Sequence, residues 1–271
     1  LAEVARQEGL FDWIACHAAQ AARGSARRLF ALVYGVGILV TAFLSNDATA
    51  VVLTPAVYAV ARAARVEPLP YLYICAFIAN AASFVLPISN PANLVAFGDR
   101  LPALLPWVRT FALPSIAAIV ATYLVLRWTQ RHALEKPLGP APQTEPLSPA
   151  GRAAGVTLAL AALVLVGASA LGRDLGLPTL ACGLLSMIAA SAIARRSPLP
   201  VLRHVAWGVL PLVAGLFVLV AGLEHVGAIR ILADWLSGHE KGSLNQTAFI
   251  AGLAAGIGTN IVNNLPLGLL A

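Results

Sequence analysis

The sequence predicts an all-α polytopic membrane protein whose helices are interrupted by polar residues at membrane depth. Three observations carry this. Of 271 residues 59% are hydrophobic and 11% charged, with a mean hydropathy of +0.81, a balance far from that of a soluble domain. The basic residues stand in short clusters between apolar runs, as in loops that set topology. Finally, Ser, Asn, Asp and Pro break the apolar runs where lipid tolerates open backbone only if protein or water surrounds it.

The net charge of +6 is spread over these clusters, which speaks against nucleic acid as a partner. Cys16, Cys75 and Cys182 form no CxxC, and the five histidines fall at no metal-ligand spacing. Neither a disulfide framework, a zinc site nor a cofactor is therefore expected.

Residues 1–28 mix charges with Leu10, Trp13, Ile14 and Ala18 near helical spacing, which suits an interfacial helix ending near Gly24. Two apolar pieces come next within 29–61, separated by Ser45-Asn46-Asp47. Each is shorter than the ~20 residues a crossing helix needs. Arginines flank both ends (Arg23, Arg27, Arg28; Arg62, Arg65), so both ends belong on the cytoplasmic side. Re-entry as a hairpin, polar tip near mid-membrane, satisfies lengths and charges together.

Residues 71–97 read as a helix broken at Pro87-Ile-Ser-Asn-Pro-Ala-Asn93, where Asn90 before Pro91 is biased away from helical geometry. A spanning helix is expected over 104–126. The proline-rich stretch 130–152 reads as a cytoplasmic linker that closes a first repeat of residues 1–129. The second repeat, 153–271, has two spanning helices, an outward crossing and a weakly acidic segment from Glu224 to Gln246 that contains an interfacial amphipathic stretch, Ile229 to Leu236. A further apolar run reaches Asn260, Asn263, Asn264 and Pro266.

The order of interfacial stretch, apolar run and polar tip occurs twice, with opposite flanking charge. Inverted repeats with polar breaks at matching positions are the pattern of a secondary transporter's binding site. The candidate solute ligands are Ser45, Asn46, Thr49, Ser89, Asn90, Asn93, Asn263 and Asn264, hydroxyls and amides without net charge. No Lys or Arg lies in the breaks, so a small neutral polyhydroxy solute or a partly dehydrated cation fits better than a multiply charged anion. Asp47, the acidic residue of the breaks, is the candidate for proton or cation coupling, because an acidic side chain inside a membrane marks an ion pathway. Helix capping is the competing role for Ser45, Asn46 and Asp47, and for Asn93. The tryptophans near helix ends, Trp107 among them, suit an aromatic belt.

Phe43-Leu-Ser-Asn-Asp-Ala-Thr-Ala-Val-Val-Leu-Thr-Pro55, Ser83-Phe-Val-Leu-Pro-Ile-Ser-Asn-Pro-Ala-Asn-Leu-Val95 and Asn263-Asn264-Leu-Pro266 together resemble the ArsB-type arsenite efflux permeases of the ion transporter superfamily. The resemblance covers nearly the whole chain, although Pro91 stands where an apolar residue is more usual. It implies export of trihydroxyarsenic and trihydroxyantimony through the bacterial inner membrane, driven by the proton gradient, with an arsenite-stimulated ATPase subunit in some systems. Against that family, the chain is expected to be an internal piece of a longer carrier, lacking the first helices and the second broken helix and so unable to transport alone. Sodium/proton antiporters and sodium-coupled anion carriers of the same superfamily share the architecture. An intramembrane enzyme would need a second catalytic group beside Asp47, and the membrane segments offer none.

Overall fold

In the computed structural model the described residues are 1–90, 92, 93, 97, 101–139 and 145–205, with scattered positions between 207 and 256. The chain divides into two compact units, residues 1–205 and 206–271. The protein is an all-α polytopic membrane protein, and the described residues contain no extended strand beyond one isolated bridge.

The first unit opens with α1 (Ala2–Gln7) and α2 (Leu10–Ala21), joined through Gly9 at φ +71°, a conformation that glycine adopts at little cost. Helix α2 buries Leu10, Phe11, Ala15, Ala18 and Ala19. It ends where Arg23 and Gly24 both take positive φ, and Ser25 then accepts the Arg28 amide to cap α3 (Ala26–Phe43). Past Leu44 and Ser45 the chain resumes as a π-helical segment, Ala48–Leu53, that runs into α4 (Thr54–Ala63). Hydropathy alone reads this stretch as one uniform helix. Two local causes favour the wider winding: Pro55 has no amide to donate to the preceding turn, and the Thr54 hydroxyl donates at 3.2 Å to the Thr49 carbonyl five residues back.

The start of α3 and the end of α4 lie together, because the connector at Leu138 and Gly139 hydrogen-bonds both (Leu138 N–H to Gly24 O, 3.0 Å; Gly139 N–H to Ala64 O, 2.8 Å). The segment 26–63 is thus folded back on itself, with Ser45-Asn46-Asp47 at the bend. Helix α5 (Leu69–Ala81) packs along α3, approaching so closely that a Cβ on Gly37 would stand 2.7 Å from Ile78 Cγ2. Two tyrosines of these helices direct their hydroxyls to carbonyls, Tyr71 Oη to Ala26 O on α3 (3.3 Å) and Tyr34 Oη to Ile119 O on the helix Leu104–Thr129 (2.6 Å), as buried phenols require.

Helix α6 (Leu104–Thr129) is long enough to cross a membrane despite the internal Pro114. Helix α7 (Pro149–Ala170) starts ahead of the expected Ala153, since Ser148 accepts the Gly151 amide and Pro149 occupies the first turn, where its missing amide costs nothing. Helix α8 (Gly176–Ala194) packs against α7, joined across the interface by Thr157 and Ser186 at 2.8 Å. The short α9 (Leu199–His204) ends the unit. Helices α3, α6, α7 and α8 are each long and apolar enough to cross a bilayer. Large side chains such as Leu113, Ile116, Leu163, Leu177 and Leu185 face outward on them, the surface that lipid replaces water against.

Trp107 departs from the expected aromatic belt. It is fully buried, packs against Phe84, Phe97 and Phe111, and donates its indole N–H to the Phe84 carbonyl at 3.0 Å. Phe84 lies in the break after α5, where carbonyls lack helical partners, so this indole supplies what the missing turn does not. Replacing Trp107 by Phe keeps an aromatic ring but strands the carbonyl. Thermal unfolding of the detergent-solubilised protein should report a loss of about 1–3 kcal/mol, and an unchanged midpoint would show that another donor takes over.

Candidate functional site

The two polar breaks of the first unit meet. After α5 the chain passes through Ser83 and Phe84 to a single 3-10 turn, Pro87–Ser89. The Ser89 hydroxyl accepts the Leu86 amide (3.0 Å) and donates to the Ala42 carbonyl at the end of α3 (3.0 Å). One buried oxygen therefore closes its own turn and ties the second break to the first. Asn90 Oδ1 accepts the Ala92 amide at 2.9 Å, the local side-chain to backbone bond that asparagine favours at a turn. The Asn93 amide nitrogen reaches back across the break to the carbonyls of Ser83 (2.8 Å) and Pro87 (3.4 Å). Ser89, Asn90 and Asn93 are all buried.

At the hairpin tip the Ser45 hydroxyl accepts the Ala48 amide (3.1 Å), and its carbonyl accepts the Thr49 amide (3.3 Å); Asn46 Oδ1 accepts the Asp47 amide (2.9 Å). The amides opening the second arm of the hairpin are thus satisfied by Ser45 and Asn46, as caps do. Asp47 is exposed, and its carboxylate makes no capping bond. Among the described residues no hydrogen bond or ion pair reaches that carboxylate.

Thr49 is fully buried and shares a 2.8 Å hydroxyl pair with the equally buried Thr41. This pair bolts the two arms together just below the tip. Thr41 is absent from the residues that the sequence singles out, although two threonines flanking a polar break on otherwise apolar arms are a readable signal. Ser83 and Trp107 are the other unanticipated contributors, and neither carries a local signature of its role.

The predicted set therefore divides. Thr49, Ser89, Asn90 and Asn93 are buried and hold the breaks in shape, while Ser45 and Asn46 are half-buried and Asp47 is exposed at the tip. Ser45 also lines a mostly apolar cavity of about 500 Å³ with Phe43, Leu44, Ile88, Leu165 and Thr179. Asn263 and Asn264 lie outside the described residues. No cluster of potential metal ligands occurs among the described residues.

The family model of the citrate transporters, CitMHS, matches residues 1–271. The chain belongs to the citrate transporter family. This family member is also similar to the arsenical pump membrane protein of Escherichia coli, 27% identical over 97% of the chain and 63% of that protein. The arsenical pump membrane protein of Yersinia enterocolitica is 29% identical over 96% of the chain and 62% of its own length. The putative arsenical pump membrane protein of Bacillus subtilis is 25% identical over 95% and 64%. The chain thus spans about three-fifths of the length of these curated relatives. The resemblance seen in the tip and break motifs extends along the whole chain.

In this citrate transporter family member the threonine pair offers a direct test of how the tip is held. Thr41→Val and Thr49→Val each leave one buried hydroxyl without its partner, and each should cost about 1–2 kcal/mol. The double variant should cost less than the sum, because both polar groups are gone. Chemical or thermal unfolding of the four proteins checks this, and strict additivity would mean the two hydroxyls do not interact.

Proposed function

We propose that the full-length protein is a proton-coupled carrier in a bacterial inner membrane that exports trihydroxyarsenic and trihydroxyantimony species from the cytoplasm. The observation that carries this reading is the state of Asp47: an acidic side chain at a hairpin tip, exposed, with the capping work around it done by Ser45 and Asn46. Capping accounts for its neighbours and leaves the carboxylate unexplained. A group of this kind, inside apolar sequence, is suited to carrying a proton or a cation.

The solute class is argued from the lining. Hydroxyls and amides exchange hydrogen bonds with a neutral trihydroxy species without demanding a counter-charge, and no Lys or Arg occurs from residue 29 to 61 or from 66 to 99. The names of the relatives support the same solute. Alternation obeys the general scheme for inverted repeats: one set of elements moves against the other about a fixed site, and protonation of Asp47 and solute occupancy of the tip exclude one another. Asn263 and Asn264 belong to this proposal as the tip of the second hairpin. An arsenite-stimulated ATPase subunit is a further partner implied by the resemblance.

A second reading has its own support. The family's name is that of a carrier of a carboxylate anion, and a sodium-coupled anion carrier or a sodium/proton antiporter has the same architecture. In those carriers the tip would hold a cation. The absence of Lys and Arg from the breaks favours the neutral solute, since anion capture would fall to helix N-termini alone.

The full-length protein, expressed in an arsenite-sensitive bacterial strain, should lower cellular arsenic and leave sodium tolerance and citrate uptake unchanged. Unchanged arsenic with improved sodium tolerance or citrate uptake would transfer the assignment to the second reading. Asp47→Asn should reduce gradient-driven export to background, a loss of at least about a hundredfold, with normal amounts of protein in the membrane. Full export by that variant across the pH range would remove Asp47 from the coupling step.

A further inference from the structure

We propose that residues 137–139 form a strap that holds the two base ends of the α3–α4 hairpin at fixed separation, so that hairpin and connector move as one body, with Gly139 as the positioning residue. The proposal rests on the carrier reading above for its functional consequence, and on backbone geometry for its existence. Leu138 N–H donates to Gly24 O just before α3, and the next residue, Gly139, donates to Ala64 O just after α4. Ser25 and Pro137 form an isolated antiparallel bridge beside them. Two consecutive amides of one short segment thus bind the two arms of a different segment, one each.

Three features mark the arrangement as built. At both bases the chain turns through left-handed residues, Arg23 and Gly24 at φ +49° and +79° and Arg65 at +55°. These residues end the helices that precede them, and they border the carbonyls that accept from the strap. At Gly139 a Cβ would stand 2.9 Å from Ala64 O and 3.2 Å from Arg65 Cβ, so a side chain at this position forces the strap off the hairpin. Leu134 is buried and Leu138 packs on the main core, which anchors the strap by apolar contact as well as by hydrogen bonds.

The strap follows α6 after a short connection that includes the 3-10 turn Ala133–Glu135, and α6 holds the Phe84 carbonyl of the second break through Trp107. One continuous stretch of chain thus reaches both the second break and the base of the hairpin. A tip carried by such a body keeps its geometry while the body moves; a tip on a loose base does not. The role assigned to the strap is accordingly in turnover and not in solute affinity.

The test uses the full-length protein in membrane vesicles. Gly139→Val, and Leu138→Pro, which removes the donor to Gly24 together with the Leu138 apolar contact, should each lower the maximal export rate roughly fivefold or more while KM stays within about twofold. In a background with Cys16, Cys75 and Cys182 changed to Ala, the pair Ser25→Cys and Pro137→Cys should form a disulfide readily, and the oxidised protein should retain the export rate of its reduced form. Wild-type rates in both strap variants would overturn the proposal. So would arrest by the disulfide with recovery on reduction, which would mean that the strap has to open during the cycle. Failure of the cysteine pair to cross-link would overturn it irrespective of solute. Absence of arsenite export by the wild-type protein strikes the functional reading instead, and the cross-linking yield still judges the strap.

Discussion

The hydroxyl of Ser89 holds the first unit's polar architecture together. A helix interrupted inside a bilayer leaves amides and carbonyls that water cannot reach, and each must find a partner in protein. Ser89 serves two at once: the amide of Leu86 in its own turn and the carbonyl of Ala42 on another helix. Around it the same demand is met piece by piece, by Asn93 for Ser83 and Pro87, by Trp107 for Phe84, by Asn90 for Ala92 and by Ser45 for Ala48. Each of these described groups thus has a partner, and the polar residues that look like solute ligands in the sequence serve in large part to make the breaks possible.

That division changes what a neutral lining means. In a break built entirely from apolar residues the backbone would be unsatisfied; in one built from charged residues the desolvation cost would be far larger. Hydroxyls and amides are the middle course: they satisfy the open backbone without bringing a charge into the membrane. Asp47 is the exception because the structural work at its position is already done. Membership of a family named for citrate transport, together with similarity to arsenical pump proteins, sets the two solute classes against each other, and the absence of Lys and Arg from the breaks is the local evidence between them.

Much of the architecture was legible in the sequence because it depends on local quantities. Run length, flanking arginines and the Ser-Asn-Asp and Ser-Asn-Pro interruptions place the described helices and both breaks, although α5 ends at Ala81, ahead of the Pro87 at which the sequence reads the interruption. The illegible part depends on direction and on partners distant in the chain. Nothing local tells that Asn93 points back to Ser83, that Trp107 turns inward while Trp128 stays exposed, or that a proline-rich connector lies across both ends of a hairpin more than seventy residues upstream. The early start of α7 was readable: Ser148-Pro149 is a cap and first-turn proline, outweighed in a hydropathy reading by the prolines before it. The second hairpin tip, with Asn263 and Asn264, lies outside the described residues.

The π-helical winding of Ala48–Leu53 has a consequence for how such a tip changes over evolutionary time. A π-turn is what an α-helix becomes when it accommodates one additional residue. Removing a single residue between Ala48 and Leu53 would let the segment relax to ordinary winding, and because the wider turn absorbs the extra residue, the tip would keep nearly the same facing relative to α4. The packed face of α4, with Ala56, Val57, Val60 and Ala61, and Asp47 at the tip would both stay on their sides of the hairpin. A lineage could thus gain or lose one residue between tip and helix without re-aiming its acidic side chain or rebuilding the helix that carries it.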